Sequence, residues 1–286
     1  MNKSGILAII LLTLYVLYYY FYVVEQFTNN TVVTVYNSKC YFGLGDYIRG
    51  VIHLYQNMND KSIFVNYEDN EIAHYLYNAN NNNHSYIQDK IVSTDQTNYA
   101  INIFNTENYL YHNATISYPI DKGILEKVKN IFTMKPDFKV HFNKTLTDSG
   151  LVDGSFAVLH MRFDDPIFDN DIVKDVQLLT DFINETIIPK WGNNVLILSN
   201  SKLTKLDLVD KYKFNQFNTE PVHTGAVNGY DPSKIKGTLV EFFAMTKCKE
   251  IYQYCEIKNQ VSGFSQRVSE IYDIPMTCIQ KLDFAM

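Results

Sequence analysis

His160-Met161-Arg162 follows the apolar run Phe156-Ala157-Val158-Leu159, so an imidazole and a guanidinium stand where a buried strand ends. The planar fork of an Arg can hold two oxygens of a diphosphate at once. Further along, Ser262-Gly263-Phe264-Ser265-Gln266-Arg267 reads as a small polar turn feeding a helix. Such a turn leaves backbone N–H groups unpaired and pointing outward, which suits a phosphate. Gly43-Leu44-Gly45-Asp46 is a glycine turn at which backbone can approach a ligand closely. The full dinucleotide fingerprint is absent, because Tyr47-Ile48-Arg49 continues where its third glycine would fall.

Each of these groups also has a plainer reading. Arg162 can pair at the surface with Asp164 or Asp165. His160 can be a satisfied, half-buried histidine. Glu241 stands on an otherwise apolar helix whose expected buried stripe is Leu239, Phe242, Phe243 and Thr246. A carboxylate accepts two N–H bonds at once, and guanine offers such a paired donor edge where adenine does not. The alternative for Glu241 is exposure on the opposite helix face. The run Asp164, Asp165, Asp169, Asp171 contains a D-x-D at Asp169-Asn170-Asp171, a spacing suited to a divalent ion on a diphosphate. It also stands at a helix start, where carboxylates cap and complement the dipole, and capping is the reading adopted. With Arg162 neutralising a diphosphate, no metal is required. Asp165 or Asp169 is the nearest candidate for a general base.

The elements that must position these groups follow from periodicity. Thr31 to Tyr36 is a β-branched run and reads as a buried strand, followed by the glycine turn and an amphipathic helix over Tyr47 to Tyr55. Ser62 to Tyr67 and Tyr99 to Phe104 read as strands, with a helix over Glu71 to Tyr77 between them. Lys122 to Phe132 is helical, and Lys135-Pro136 is read as its breaker, with a domain crossing in the weakly alternating segment up to Gly154. Phe156 to Leu159 restarts the pattern. A helix over Asp171 to Ile187, a strand over Val195 to Leu198, a helix over Lys202 to Lys211, the Thr238 to Cys248 helix, strand Ile251 to Tyr254 and a last strand Met276 to Ile279 complete it. Alternating strands and helices imply an α/β fold with parallel sheets in two Rossmann-like halves. Ligands bind such sheets at the carboxyl ends of strands, where the loops at Gly43, His160 and Ser262 fall. The expected division is residues 1–25 as tip and anchor, 26–150 as a first and 151–286 as a second Rossmann-like domain.

Bulk properties narrow the class. The 286 residues carry a net charge of −6, with 46% hydrophobic and 20% charged residues, which describes a globular chain. The mild acidity excludes the basic stripe of a nucleic-acid binder. Gly5 to Val24 contains no charged residue and is long enough to cross a bilayer. Lys3 precedes it, Glu25 follows it, and Tyr18, Tyr19, Tyr20 and Tyr22 suit an aromatic belt. The expectation is a single-pass type II membrane protein with its bulk in a Golgi- or ER-like lumen. A cleaved signal peptide is the rival reading. Four cysteines, Cys40, Cys248, Cys255 and Cys278, show no C-x-x-C spacing for zinc. Asn113-Ala114-Thr115, Asn143-Lys144-Thr145 and Asn184-Glu185-Thr186 are glycosylation sequons.

Taken in order, these segments resemble the GDP-fucose-dependent fucosyltransferase superfamily, closest to the α1,6-fucosyltransferases of nodulation type and to the protein O-fucosyltransferases. The family's G-x-G-[ND] loop is matched by Gly43-Leu44-Gly45-Asp46, and its H-x-R-x-x-D by His160-Met161-Arg162-Phe163-Asp164-Asp165. Its S-D-[DS] is reduced to Ser199-Asn200-Ser201. Its D-[LI]-x-x-[LM]-[SA]-x-[CA] corresponds to Glu241 through Cys248, and its S-x-F-[ST] to Ser262-Gly263-Phe264-Ser265. Phe163 stands where many relatives have a second Arg, and Glu241 where they have Asp. The resemblance implies two Rossmann domains in the GT-B arrangement, inversion at the fucose C1, and neither metal nor cofactor beyond the GDP-fucose donor. It implies that Arg162 holds the β-phosphate, that Ser265 with the backbone at Phe264 and Gln266 holds the phosphates, and that His160 and Glu241 read guanine. The implied partners are a GDP-sugar donor, a glycan or glycoprotein acceptor, and the membrane through Gly5 to Val24, with no nucleic acid. Two other readings stay open: an inactive transferase-like binding protein, and a GT-B transferase with another sugar nucleotide.

Overall fold

The structure, a computed structural model, describes residues 12–15, 31–35, 43–57, 62–67, 71–77, 92–94, 108–111, 116–162, 176–219, 234–255 and 261–279. Two four-stranded sheets organise it. The first has β1 (Thr31–Val35), β2 (Ser62–Asn66), β3 (Val92–Thr94) and β4 (Asn108–Tyr111) in the order β2-β1-β4-β3, all parallel. The second has β5 (Ala157–Arg162), β6 (Val195–Ser199), β7 (Glu250–Cys255) and β8 (Met276–Ile279) in the order β6-β5-β7-β8, also all parallel. Asn215 lengthens the second sheet beside β6, accepting from the Ile197 N–H at 2.9 Å and donating to Val195 at 2.7 Å. The chain therefore runs outward from β5 on one side and from β7 on the other. The crevice between their carboxyl ends is the switch point where open α/β sheets bind ligands.

The helices sort by which sheet face they cover. Successive residues of a strand point to opposite faces. Val158, Leu196, Leu198 and Ile251 pack with α6 (Ile235–Met245) and α7 (Gly263–Tyr272). Ala157, Leu159, Val195 and Ile197 pack instead with Leu179, Ile183 and Ile187 and with Leu208. The last four lie on α4 (Val176–Phe182), on its continuation through a π turn over Ile183–Ile187, and on α5 (Lys202–Tyr212). The helix predicted to end at Ile187 runs on through Ile188–Trp191 and stops at Gly192, whose φ of 57° ends the helix.

α1 (Leu44–Asn57) lies against α7 and buries Leu44, Ile48, Val51 and Ile52 at helical spacing. α2 (Lys122–Ile131) is capped by Asp121, whose carboxylate accepts from the N–H groups of Gly123 and Ile124 at 2.8 and 3.3 Å. Tyr118 joins α7 as well: its hydroxyl donates to Glu270 at 2.9 Å and accepts from Arg267 at 3.3 Å, while Arg267 pairs with Glu270 at 2.7 Å.

Two expectations need correction. α2 does stop before Lys135-Pro136, but the segment after it is not the weakly alternating stretch expected. Pro136 opens the thirteen-residue α3 (Pro136–Asp148), because its fixed φ and missing N–H cost nothing at the first helical position. Phe138, Phe142 and Leu146 then form its buried stripe, with Phe138 and Phe142 set against Phe243 of α6 at 6.1 and 6.2 Å between ring centroids. Glu71 to Tyr77 yields only a 3₁₀ turn over Glu71–His74. Of the two readings of Glu241, the exposed one is excluded, since every residue from Thr238 to Met245 is buried. The expected strand over Tyr99 to Phe104 lies outside the described residues. So does most of Gly5 to Val24, of which Leu12 to Tyr15 are described as helical and exposed. Among the described residues no helix is long and apolar enough to cross a membrane.

Candidate functional site

The second switch point is built by β5, β7 and α7. His160 of β5 and Gln253 of β7 are register partners, so their side chains leave the sheet together on the α7 face. Ser265, in the first turn of α7, meets both. Its Oγ lies 3.0 Å from His160 Nδ1 and donates to Gln253 Oε1 at 2.7 Å. Ser265 and Gln253 are fully buried and His160 is 7% exposed. Burial, and then the nearby Arg162 charge, drive the imidazole pKa down to about 3, so His160 is neutral at ordinary pH. Arg162, the last residue of β5, is half-buried and shares His160's side of the sheet by strand alternation.

The N-terminus of α7 completes this end. Ser262 occupies the cap position without a side-chain cap hydrogen bond. The Gln266 N–H is used by the Ser262 carbonyl at 3.1 Å, and the Gln266 side chain donates to Glu270 at 3.1 Å. The Gln266 N–H, expected to face a phosphate, closes the first helical turn instead. The Ser265 hydroxyl likewise turns inward to His160 and Gln253.

Gly45 also has a different task from the one expected. A Cβ there would lie 2.4 Å from Gly263 C and 2.6 Å from Phe264 N. The close approach that this glycine permits is between the starts of α1 and α7. Gly43 supplies the first carbonyl of α1, accepting from Asp46 and Tyr47 at 3.1 Å each, and Asp46 lies half-buried in that first turn. Two positive helix ends thus meet beside β5.

Phe264 links this corner to α6. Its ring lies 5.9 Å from the His160 ring and 5.6 Å from Phe242. Next to Phe242, Glu241 is 3% exposed and accepts from Thr219 Oγ1 at 3.1 Å. Burial raises its pKa to about 7, against the opposing pull of Lys205 and Thr219. Lys205 of α5, 6% exposed, donates to the Phe217 carbonyl at 3.2 Å, and its own burial lowers its pKa. Burial therefore rules out the solvent-exposed alternative for Glu241.

The structure thus brings His160, Arg162, Ser262, Phe264 and Ser265 to one place, with Gly43, Gly45 and Asp46 against them through α1; Glu241 is buried on α6 with Thr219 as its hydrogen-bond partner. Asp165 and Asp169 lie outside the described residues. Among the described residues no cluster of three or more His, Cys, Asp or Glu side chains could hold a metal. Gln253, Thr219 and Lys205 escaped the sequence reading. Gln253 left one signal, a polar residue inside the buried run Ile251 to Tyr254; Lys205 left none, since α5 buries it while exposing Leu203 and Leu206.

No family model matches the chain, and no curated protein matches it in sequence. Solved structures match it in fold. The fucosyltransferase NodZ from Bradyrhizobium superposes with a TM-score of 0.51 at 9% identity, covering 84% of this chain and 91% of that one. NodZ α1,6-fucosyltransferase soaked with GDP-fucose matches with a TM-score of 0.50 at 10% identity, over 85% and 92%. The same enzyme co-crystallised with GDP matches at 0.50 and 8% identity, over 84% and 91%. The α/β fold with parallel sheets is therefore that of the GDP-fucose fucosyltransferases.

Proposed function

We propose that this chain is an inverting, metal-independent glycosyltransferase that moves fucose from GDP-fucose to a hydroxyl of a glycan or protein. The observation that carries the reading is the meeting of His160 and Ser265 at the β5–β7 switch point. It sets the guanidinium-bearing end of β5 beside the uncapped start of α7. A cation and free backbone amides on one crevice make a diphosphate site. In this reading Glu241 supplies a buried carboxylate for a paired N–H edge, which favours guanine.

In this proposal the acceptor oxygen attacks C1 of the sugar while the bond from C1 to the diphosphate oxygen breaks, in one displacement. Arg162 and the α7 amides stabilise the charge gathering on the departing GDP. A carboxylate takes the acceptor's proton, and Asp165 and Asp169 remain the proposed bases. The two sheets would form the GT-B pair of domains, residues 26–150 and 151–286, behind an anchor at Gly5 to Val24. The anchor and the lumenal location rest on that charge-free apolar run.

The test is GDP release from GDP-fucose across a panel of glycan and glycopeptide acceptors, with chelator present. Acceptor-dependent release that Arg162→Ala cuts by about 10²–10³-fold supports the reading. Release from UDP-sugars instead points to another donor. Nucleotide binding without release on any acceptor points to a binding protein on a transferase fold.

A further inference from the structure

The hydrogen bonds among His160, Ser265 and Gln253 determine more than position. A serine hydroxyl has one proton to give. Ser265 gives it to Gln253 Oε1 at 2.7 Å, so the 3.0 Å contact between Ser265 Oγ and His160 Nδ1 takes its proton from the imidazole. In a neutral ring this leaves Nε2 with a lone pair and no proton. Nε2 has no hydrogen-bond partner among the described residues.

Gln253 itself is unusual. It is fully buried at the centre of the second sheet, flanked by Tyr252 and Tyr254, and its Nε2 finds no partner among the described residues. A buried donor left unmet weakens a fold. An apolar residue would pack there at less cost, so stability alone does not account for the amide.

We propose that Gln253 is a positioning residue for ligand recognition: acting through Ser265, it holds His160 as the Nδ1–H tautomer, so that the ring presents Nε2 as a hydrogen-bond acceptor. Such a nitrogen repels a phosphate oxygen and takes an N–H or O–H donor. The labour at the site then divides. Arg162 and the α7 amides meet the diphosphate, and His160 reads a donor group on the base or sugar. This ligand half rests on the nucleotide-sugar reading; the tautomer half does not.

Long-range proton–nitrogen NMR on the full chain with ¹⁵N-labelled histidine reads the tautomer directly. The His160 signals are identified by their loss in His160→Asn. Wild type is expected as Nδ1–H in the absence of ligand. In Gln253→Met the Ser265 hydroxyl loses its acceptor and turns to donate to Nδ1, so His160 switches to Nε2–H. GDP affinity then falls about tenfold, one hydrogen bond's worth. Ser265→Ala removes the relay altogether and loses the fixed Nδ1–H state. An Nε2–H ring or an imidazolium in wild type at neutral pH overturns the proposal, and so does an Nδ1–H ring retained in both variants. A tautomer that switches as described in a protein that never binds GDP overturns the ligand half alone.

Discussion

Replacing Glu241 with Gln should make the protein more stable and less able to bind its nucleotide. The carboxyl is 3% exposed, and burial raises its pKa from 4.5 to about 7. That rise corresponds to roughly 3 kcal/mol, at about 1.4 kcal/mol for each tenfold change in ionisation. The folded state holds this proton more tightly than the unfolded chain. Its stabilising effect is complete below the unfolded value of 4.5 and is lost as the pH rises through about 7. Gln stands in for the protonated acid, so at pH 4 Lys205 sees a neutral partner in both proteins, while at pH 8 only the wild type carries the buried charge. Glu241→Gln should therefore match wild type near pH 4 and exceed it by about 3 kcal/mol at pH 8. For a chain of this size that is a melting point higher by roughly 6–12 °C. The same substitution replaces one acceptor oxygen by a donor, so GDP should bind at least about tenfold more weakly at pH 8. Wild-type GDP binding should strengthen as the pH rises through about 7. Thermal melts of both proteins at pH 4 and 8, with GDP titrations at pH 8, measure all of this. Equal melting points at pH 8, or a stability difference that does not change with pH, would refute the reasoning.

Arg162→Ala should lower turnover by about 10²–10³-fold, the effect of removing one preorganised charge from a leaving group, while the melting point stays within a degree or two; steady-state GDP release and calorimetry check both. Gly45→Ala places a methyl 2.4 Å from the Gly263 carbonyl carbon. Even with the better helix propensity of Ala it should cost about 1–3 kcal/mol, seen as an earlier urea transition. Asp121→Ala removes the two capping bonds of α2 and should cost about 1 kcal/mol in the same assay, with GDP binding unchanged.

Much of the second sheet was readable because its signals are local. The β5 and β6 runs are apolar and β-branched or leucine-rich, and α7 follows a small polar turn. The errors arise where the deciding contact is distant in sequence. Pro136 has the same local appearance at a helix start as at a helix stop, and only the packing of Phe138 and Phe142 on Phe243 decides which it is. Gly45 looked like a ligand-facing glycine because the Gly263 backbone that fills its space lies far along the chain. Glu241 left two readings open because exposure is the ordinary fate of a lone acid on an apolar helix; its burial and its bond from Thr219 depend on a residue 22 positions away. The strands β3 and β4 are only three and four residues long, too short for an alternating pattern to register.

The central claim is that β5, α6 and α7 together form a guanine-nucleotide diphosphate site. Calorimetric titration of the full chain with GDP, and in parallel with UDP and ADP, in the presence of chelator, tests it most directly. The account predicts saturable GDP binding well above that of either competitor, weakened by Arg162→Ala through the phosphates and by Glu241→Gln through the base. No heat with GDP, or equal binding of all three nucleotides, would contradict it.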